Sequence, residues 1–88
     1  MNFNITFSEN FKKNYKKLDP KVKKQLKNKI ELLVENPMHP SLRTKHIQGT
    51  EGLFEFSVNM DVRVVWFYEN GNLILLLDIG HHDILEKY

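Results

Sequence analysis

A chain of 88 residues, 41% of them hydrophobic and none of them cysteine, has material for one small core and none for disulfide staples or thiolate metal centres. Its formal net charge of +2 is unevenly placed: residues 1–30 hold nine lysines against Glu9 and Asp19, while residues 31–88 hold four cations against nine acids. No basic leader followed by a long apolar run opens the chain and no apolar run approaches a membrane span, so a single domain over residues 1–88, cytoplasmic and with no membrane partner, is expected.

In chain order, Asn2 to Phe7 alternates Phe3, Ile5 and Phe7 with polar residues, the period of a short strand with one buried face. Ser8 is a good N-cap and Glu9 suits a first helical turn. Phe11, Tyr15 and Leu18 then form one apolar stripe flanked by lysines. Asp19-Pro20 stops that helix and caps the next, because proline fits the first helical position and disfavours helix at the residue before it. Val22, Leu26, Ile30 and Leu33 give the second helix its buried side. Asn36-Pro37 ends it, and Met38-His39-Pro40 reads as an extended connector without helix.

Leu42 to Ile47 is a weak edge strand or a loop, and Gln48 to Gly52 is a turn. Leu53 to Val58 is a strand, Asn59 to Asp61 a turn, and Val62 to Tyr68 a strand with Arg63, Val65 and Phe67 on one face. Asn70-Gly71 predicts a type I′ hairpin, and Leu73 to Leu77, apolar on both faces, reads as a central or doubly covered strand. His82 to Tyr88 is expected to form a single helical turn. The order implies an α+β fold, with an N-terminal strand and a helical hairpin packed on an antiparallel sheet, β-α-α-β-β-β.

Arg63 is an unusual strand-interior residue: it reaches solvent, pairs with Glu55 or Asp61, or faces a functional surface. His81 and His82 stand where the last strand ends and would point to opposite faces, so at most one is expected to act. Zinc is disfavoured, since His39, His46, His81 and His82 show neither HxH nor HExxH spacing. Nucleophile elbows and glycine-rich phosphate loops are absent too. What remains is a basic and imidazole set, Arg43, Lys45, His46, Arg63 and His82, with no obvious carboxylate pair. Such a set suits metal-free RNA scission: a base for the 2′-hydroxyl, cations for charge on phosphorus, and an acid for the departing 5′-oxygen. The lysine-rich front suits RNA or an acidic protein, although lysines that merely solvate two helix faces give the same asymmetry.

The segments FKKNYKKL, NPMHPSLRTKHIQGTEGLFEFSV and MDVRVVWFYENGNLILLLDIGHHDIL, in this order, are similar to the RelE/ParE superfamily of toxin–antitoxin toxins over almost the whole chain. An arginine before a Val-Val-aromatic run, then Gly80-His81-His82-Asp83-Ile84-Leu85, carries most of the resemblance. It implies an mRNA endonuclease toxin acting in the ribosomal A site by 2′-hydroxyl transesterification. No cofactor or metal is implied, and a cognate antitoxin would wrap the toxin in a hetero-oligomer. By position, Arg63 would meet the scissile phosphate and His82 would act as acid or base; His46 is the candidate base, with Lys45 as second choice. Arg43, Lys13, Lys17 and Lys24 would hold RNA, and Tyr88 would stand for the aromatic that stacks on a base in some members. The sequence departs from the family pattern at Ser57 or a neighbour, where some members carry a histidine, and near Pro40, where some carry a glutamate. Two rival expectations follow: a ParE-like gyrase inhibitor, and an inactive relative that only binds its antitoxin.

Overall fold

The computed structural model describes residues 2–88, and in it the predicted elements appear in the predicted order. Strand β1 (Asn4–Phe7) leads into helices α1 (Glu9–Tyr15) and α2 (Pro20–Glu35). A 3₁₀ turn (Pro40–Leu42) precedes β2 (Lys45–His46), β3 (Phe54–Ser57), β4 (Val62–Asn70) and β5 (Leu73–His81). A second 3₁₀ helix, the tail (His82–Lys87), follows.

Among the described residues these strands make one sheet in the order β1-β5-β4-β3-β2. β2 to β5 pair antiparallel as a meander does, whereas β1 lies parallel to β5 with Ile5 opposite Ile74. The α+β class holds, and the sheet is mixed rather than wholly antiparallel. β5 is an interior strand, paired with β1 on one side and β4 on the other.

Local chemistry explains where the elements start and stop. The Ser8 hydroxyl accepts from the Phe11 N–H at 2.9 Å and donates to the Leu77 carbonyl at 2.6 Å, so it caps α1 and fastens it to β5. Leu77 is the extra residue of a bulge, since Val65 pairs with Asp78 and Trp66 with Leu76. Helix α1 stops at Tyr15, short of Leu18, because Asp19-Pro20 forces the chain to leave through tighter bonds from Lys17 to Asn14 and from Leu18 to Tyr15. Asp19 holds the N-cap position of α2 with no capping bond from its side chain.

Two expectations need correction. The connector is not wholly extended: Pro40 starts a 3₁₀ turn, where a missing N–H costs nothing, and His39 Nδ1 accepts from the Ser41 N–H. The hairpin forms, but its two-residue loop is Gly71-Asn72, between paired Asn70 and Leu73. Neither loop residue takes a positive φ, so the turn is not type I′, and an extra residue at Glu69 in β4 adjusts the twist instead.

Phe11, Leu26 and Leu33 of the helices meet Phe56, Val64, Trp66, Ile74, Leu76 and Ile79 on one sheet face, which is the core. The registers Ser57–Arg63–Gly80 and Glu55–Val65–Asp78 run across the opposite face. There the tail packs against β4 and β5. The second face is therefore the one on which polar groups can gather.

Candidate functional site

The turn before β4 fixes Arg63. Asn59 Oδ1 accepts from the N–H groups of Asp61 and Val62, both at 2.8 Å, which closes the turn and aims the Asn59 carbonyl back at the strand. That carbonyl accepts from Arg63 Nη1 at 2.7 Å, and the Val62 carbonyl accepts from the same nitrogen at 3.2 Å. Arg63 Nε lies 3.8 Å from Glu55 Oε1, both side chains being four-fifths buried or more. The guanidinium is thus held in one orientation by two backbone acceptors and a carboxylate, with no hydrogen bond on Nη2 among the described residues.

Around it lies a cleft of about 420 Å³ lined by Arg43, Lys45, Glu55, Ser57, Met60, Asp61, Arg63, His82 and Leu85. Four residues expected from the sequence meet here, each from a different element. Lys45 stands opposite Glu55 across the β2–β3 ladder. Arg43 reaches the cleft from the end of the first 3₁₀ turn, where it adopts the left-handed conformation, φ 52° and ψ 44°. It is the only non-glycine at positive φ among the described residues, a conformation costing about 1 kcal/mol or more for such a side chain. His82 enters from the first residue of the tail. Three cations face two carboxylates, Glu55 and Asp61, and His82 adds an imidazole that can give or take a proton.

Other expected residues lie elsewhere. His46 follows Lys45 in a two-residue strand and so takes the other face, its ring edge-on to Phe54 at 5.6 Å, and it does not line the cleft. The Tyr88 hydroxyl is turned inward and donates to Asp78 Oδ2 at 2.9 Å. Burial, then that hydrogen bond and the Asp78 charge, push its phenol up to about 12. Glu55 and Asp61 are the groups that sequence reasoning had treated only as ion-pair partners. Strand parity could have found Glu55, since it alternates with Phe54 and Phe56 and must share a face with Arg63. Among the described residues no cluster of His, Asp and Glu has the arrangement to hold a metal ion, and no helix is long and apolar enough to cross a membrane.

A second concavity, of about 980 Å³, lies on the helical layer. Phe7, Phe11, Tyr15, Leu26 and Ile30 line it, with Lys12, Lys13, Lys16, Lys23, Lys24 and Lys27 against Glu9 and Glu31. Lys13 and Lys24 are therefore brought together, away from the cleft, while Lys17 lines neither concavity.

Residues 3–87 match the family model described as the bacterial toxin of type II toxin–antitoxin system, YafQ. No curated protein sequence matches the chain. Among solved structures, YafQ from E. coli strain BL21(DE3) superposes with a TM-score of 0.77 at 20% identity, covering 94% of this chain and 97% of that one. A chain of the archaeal RelE–RelB complex from Pyrococcus horikoshii OT3 gives 0.76 at 15% identity, covering 92% and 96%. A chain of the E. coli DinJ–YafQ toxin–antitoxin complex gives 0.73 at 19% identity, covering 97% and 98%. At these identities the structural likeness establishes the fold.

Proposed function

The chain belongs to the YafQ family of bacterial toxins of type II toxin–antitoxin systems, and from that premise we propose that it is a ribosome-dependent mRNA endoribonuclease whose reaction runs in the Arg63 cleft. The observation that carries this reading is the convergence of Arg43, Lys45, Arg63 and His82 with Glu55 on one sheet face.

Strand scission without metal proceeds by attack of a 2′-oxygen on the adjacent phosphorus. The P–O5′ bond breaks, leaving a 2′,3′-cyclic phosphate and a 5′-hydroxyl. Arg63, preorganised by Asn59, Val62 and Glu55, stabilises the charge growing on the non-bridging oxygens. His82 donates the proton that the 5′-oxygen needs to leave. The 2′-hydroxyl proton goes to the Glu55 carboxylate, while Lys45 opposite it adds positive charge. His46 would need to approach from the other side of β2, so the base assignment moves into the cleft.

The partners follow from the second concavity. An apolar floor rimmed mainly by lysines suits an amphipathic, acidic segment of a cognate antitoxin, and the same lysines suit ribosomal RNA. An antitoxin seated there would compete with the ribosome as well as form the expected hetero-oligomer.

Expression without antitoxin, with transcript 5′ ends mapped in wild type beside His82→Ala and Arg63→Ala, tests the reading. Cuts phased to codons, reduced at least a hundredfold in either folded variant, are expected. Growth arrest with intact transcripts would replace the nuclease by a gyrase inhibitor, and absence of arrest would leave an inactive antitoxin-binding relative.

A further inference from the structure

Asp78 has no part in the chemistry above, yet it is fully buried. Carboxylates are seldom fully buried without a cationic partner, and here three neutral donors serve instead. Asn14 Nδ2 donates to Oδ1 at 2.8 Å, the Ile79 N–H donates to Oδ1 at 2.8 Å, and the Tyr88 hydroxyl donates to Oδ2 at 2.9 Å. One carboxylate thereby joins α1, β5 and the end of the tail.

The tail has a second anchor at Gly80, where a Cβ would lie 2.5 Å from Ile84 Cγ2. Only a residue without a side chain lets Ile84 settle on β5 at that point. His82 opens the tail just before the first of these anchored residues, Ile84, and Leu85 lies between Ile84 and Tyr88; both His82 and Leu85 line the cleft. A 3₁₀ helix of six residues has little internal stability, and this one has no side-chain N-cap bond, so its order comes from what it is fastened to.

We propose that Asp78, Asn14 and Tyr88 form a latch that fixes the tail against β5 and so holds His82 in the cleft, which makes Tyr88 a positioning residue for RNA cleavage. The proposal rests on the nuclease reading above. It departs from the expectation that Tyr88 stacks on a base, and the two roles separate cleanly.

The test compares Tyr88→Phe and Tyr88→Leu on programmed ribosomes, measuring kcat and KM. A latch needs the hydroxyl, so both variants lose about tenfold to a hundredfold in kcat with KM within about twofold. Stacking needs only the ring, so wild-type rates in Tyr88→Phe beside a loss in Tyr88→Leu would overturn the latch. The double variant Tyr88→Phe/Asp78→Asn is expected to be no slower than the slower single variant, since both changes act on the one Tyr88–Asp78 bond. Amide hydrogen exchange on the toxin alone gives an independent readout: in Tyr88→Phe the amide of Tyr88, bonded to the Leu85 carbonyl, and its tail neighbours lose protection while β4 and β5 keep theirs. Unchanged tail protection would sink the latch even if cleavage fell. If the wild-type protein cuts no transcript, the nuclease reading fails, and the exchange measurement alone decides whether the latch orders the tail.

Discussion

At the scale of single residues, the cleft is built from side chains that the backbone has little freedom to place otherwise. Arg43 shows this in its left-handed conformation. Arg43→Gly relieves about 1 kcal/mol of strain and returns a similar amount as unfolded-chain entropy. The variant is expected to melt within a few degrees of wild type while cleaving about tenfold more slowly, read by calorimetry beside a cleavage assay. Tyr88 gives a second residue-scale prediction, with a defined sign. Its pKa is raised from 10.0 to about 12 in the folded protein, so folding favours the neutral phenol. That contribution is complete below pH 10 and disappears as pH rises towards 12. The stability advantage of wild type over Tyr88→Phe should therefore shrink between those values in denaturant melts, and an advantage constant across that window would refute the raised phenol pKa that burial and, after it, the Asp78 hydrogen bond and charge produce.

Two helix starts that look alike in sequence separate at the scale of elements. Ser8 caps α1 and also bonds the Leu77 carbonyl at the β5 bulge, whereas Asp19 caps α2 only by position. Ser8→Ala is expected to cost about 1–2 kcal/mol, a fall of roughly 5–10 °C in melting temperature for a domain of this size. Asp19→Ala should cost only the few tenths of a kcal/mol that a charge near a helix N-terminus supplies. Equal losses in thermal melts of the two variants would mean that the tie between α1 and β5 carries no stability. The same tie bears on function, because α1 also brings Asn14 to Asp78.

The whole molecule has two concave faces on opposite sides of one sheet. The helical layer carries most of the lysines and the apolar groove, and the other side carries the cleft. Charge reversal at Lys23, Lys24 and Lys27 is therefore expected to weaken ribosome and antitoxin binding together and to flatten their salt dependence. The log–log slope for RNA should change by on the order of 0.7 to 0.9 for each phosphate that the lysines no longer neutralise. Transcript cuts that remain should keep the wild-type positions, because the cleft is untouched; equilibrium binding across a salt series, beside mapping of the surviving cuts, checks both halves.

The residues determined much of this by themselves. Period-two runs, the Ser8 and Asp19-Pro20 punctuation and the apolar stripes of two helices sufficed for the element order and the α+β class, because local spacing dictates which side of an element is buried. The same spacing put Arg63 on a face away from the core. Three things were settled only in three dimensions. β1 lies parallel to β5, which no local pattern encodes, since it depends on where the helical hairpin returns the chain. Lys45 enters the cleft while His46 leaves it, because which face of so short a strand points inward is fixed by its pairing with Glu55 and Phe54. Asp78 is buried among Asn14 and Tyr88, one 64 residues before it and the other 10 after; bonds across such separations exist only once the chain has folded, and they decide where the tail, and with it His82, comes to rest.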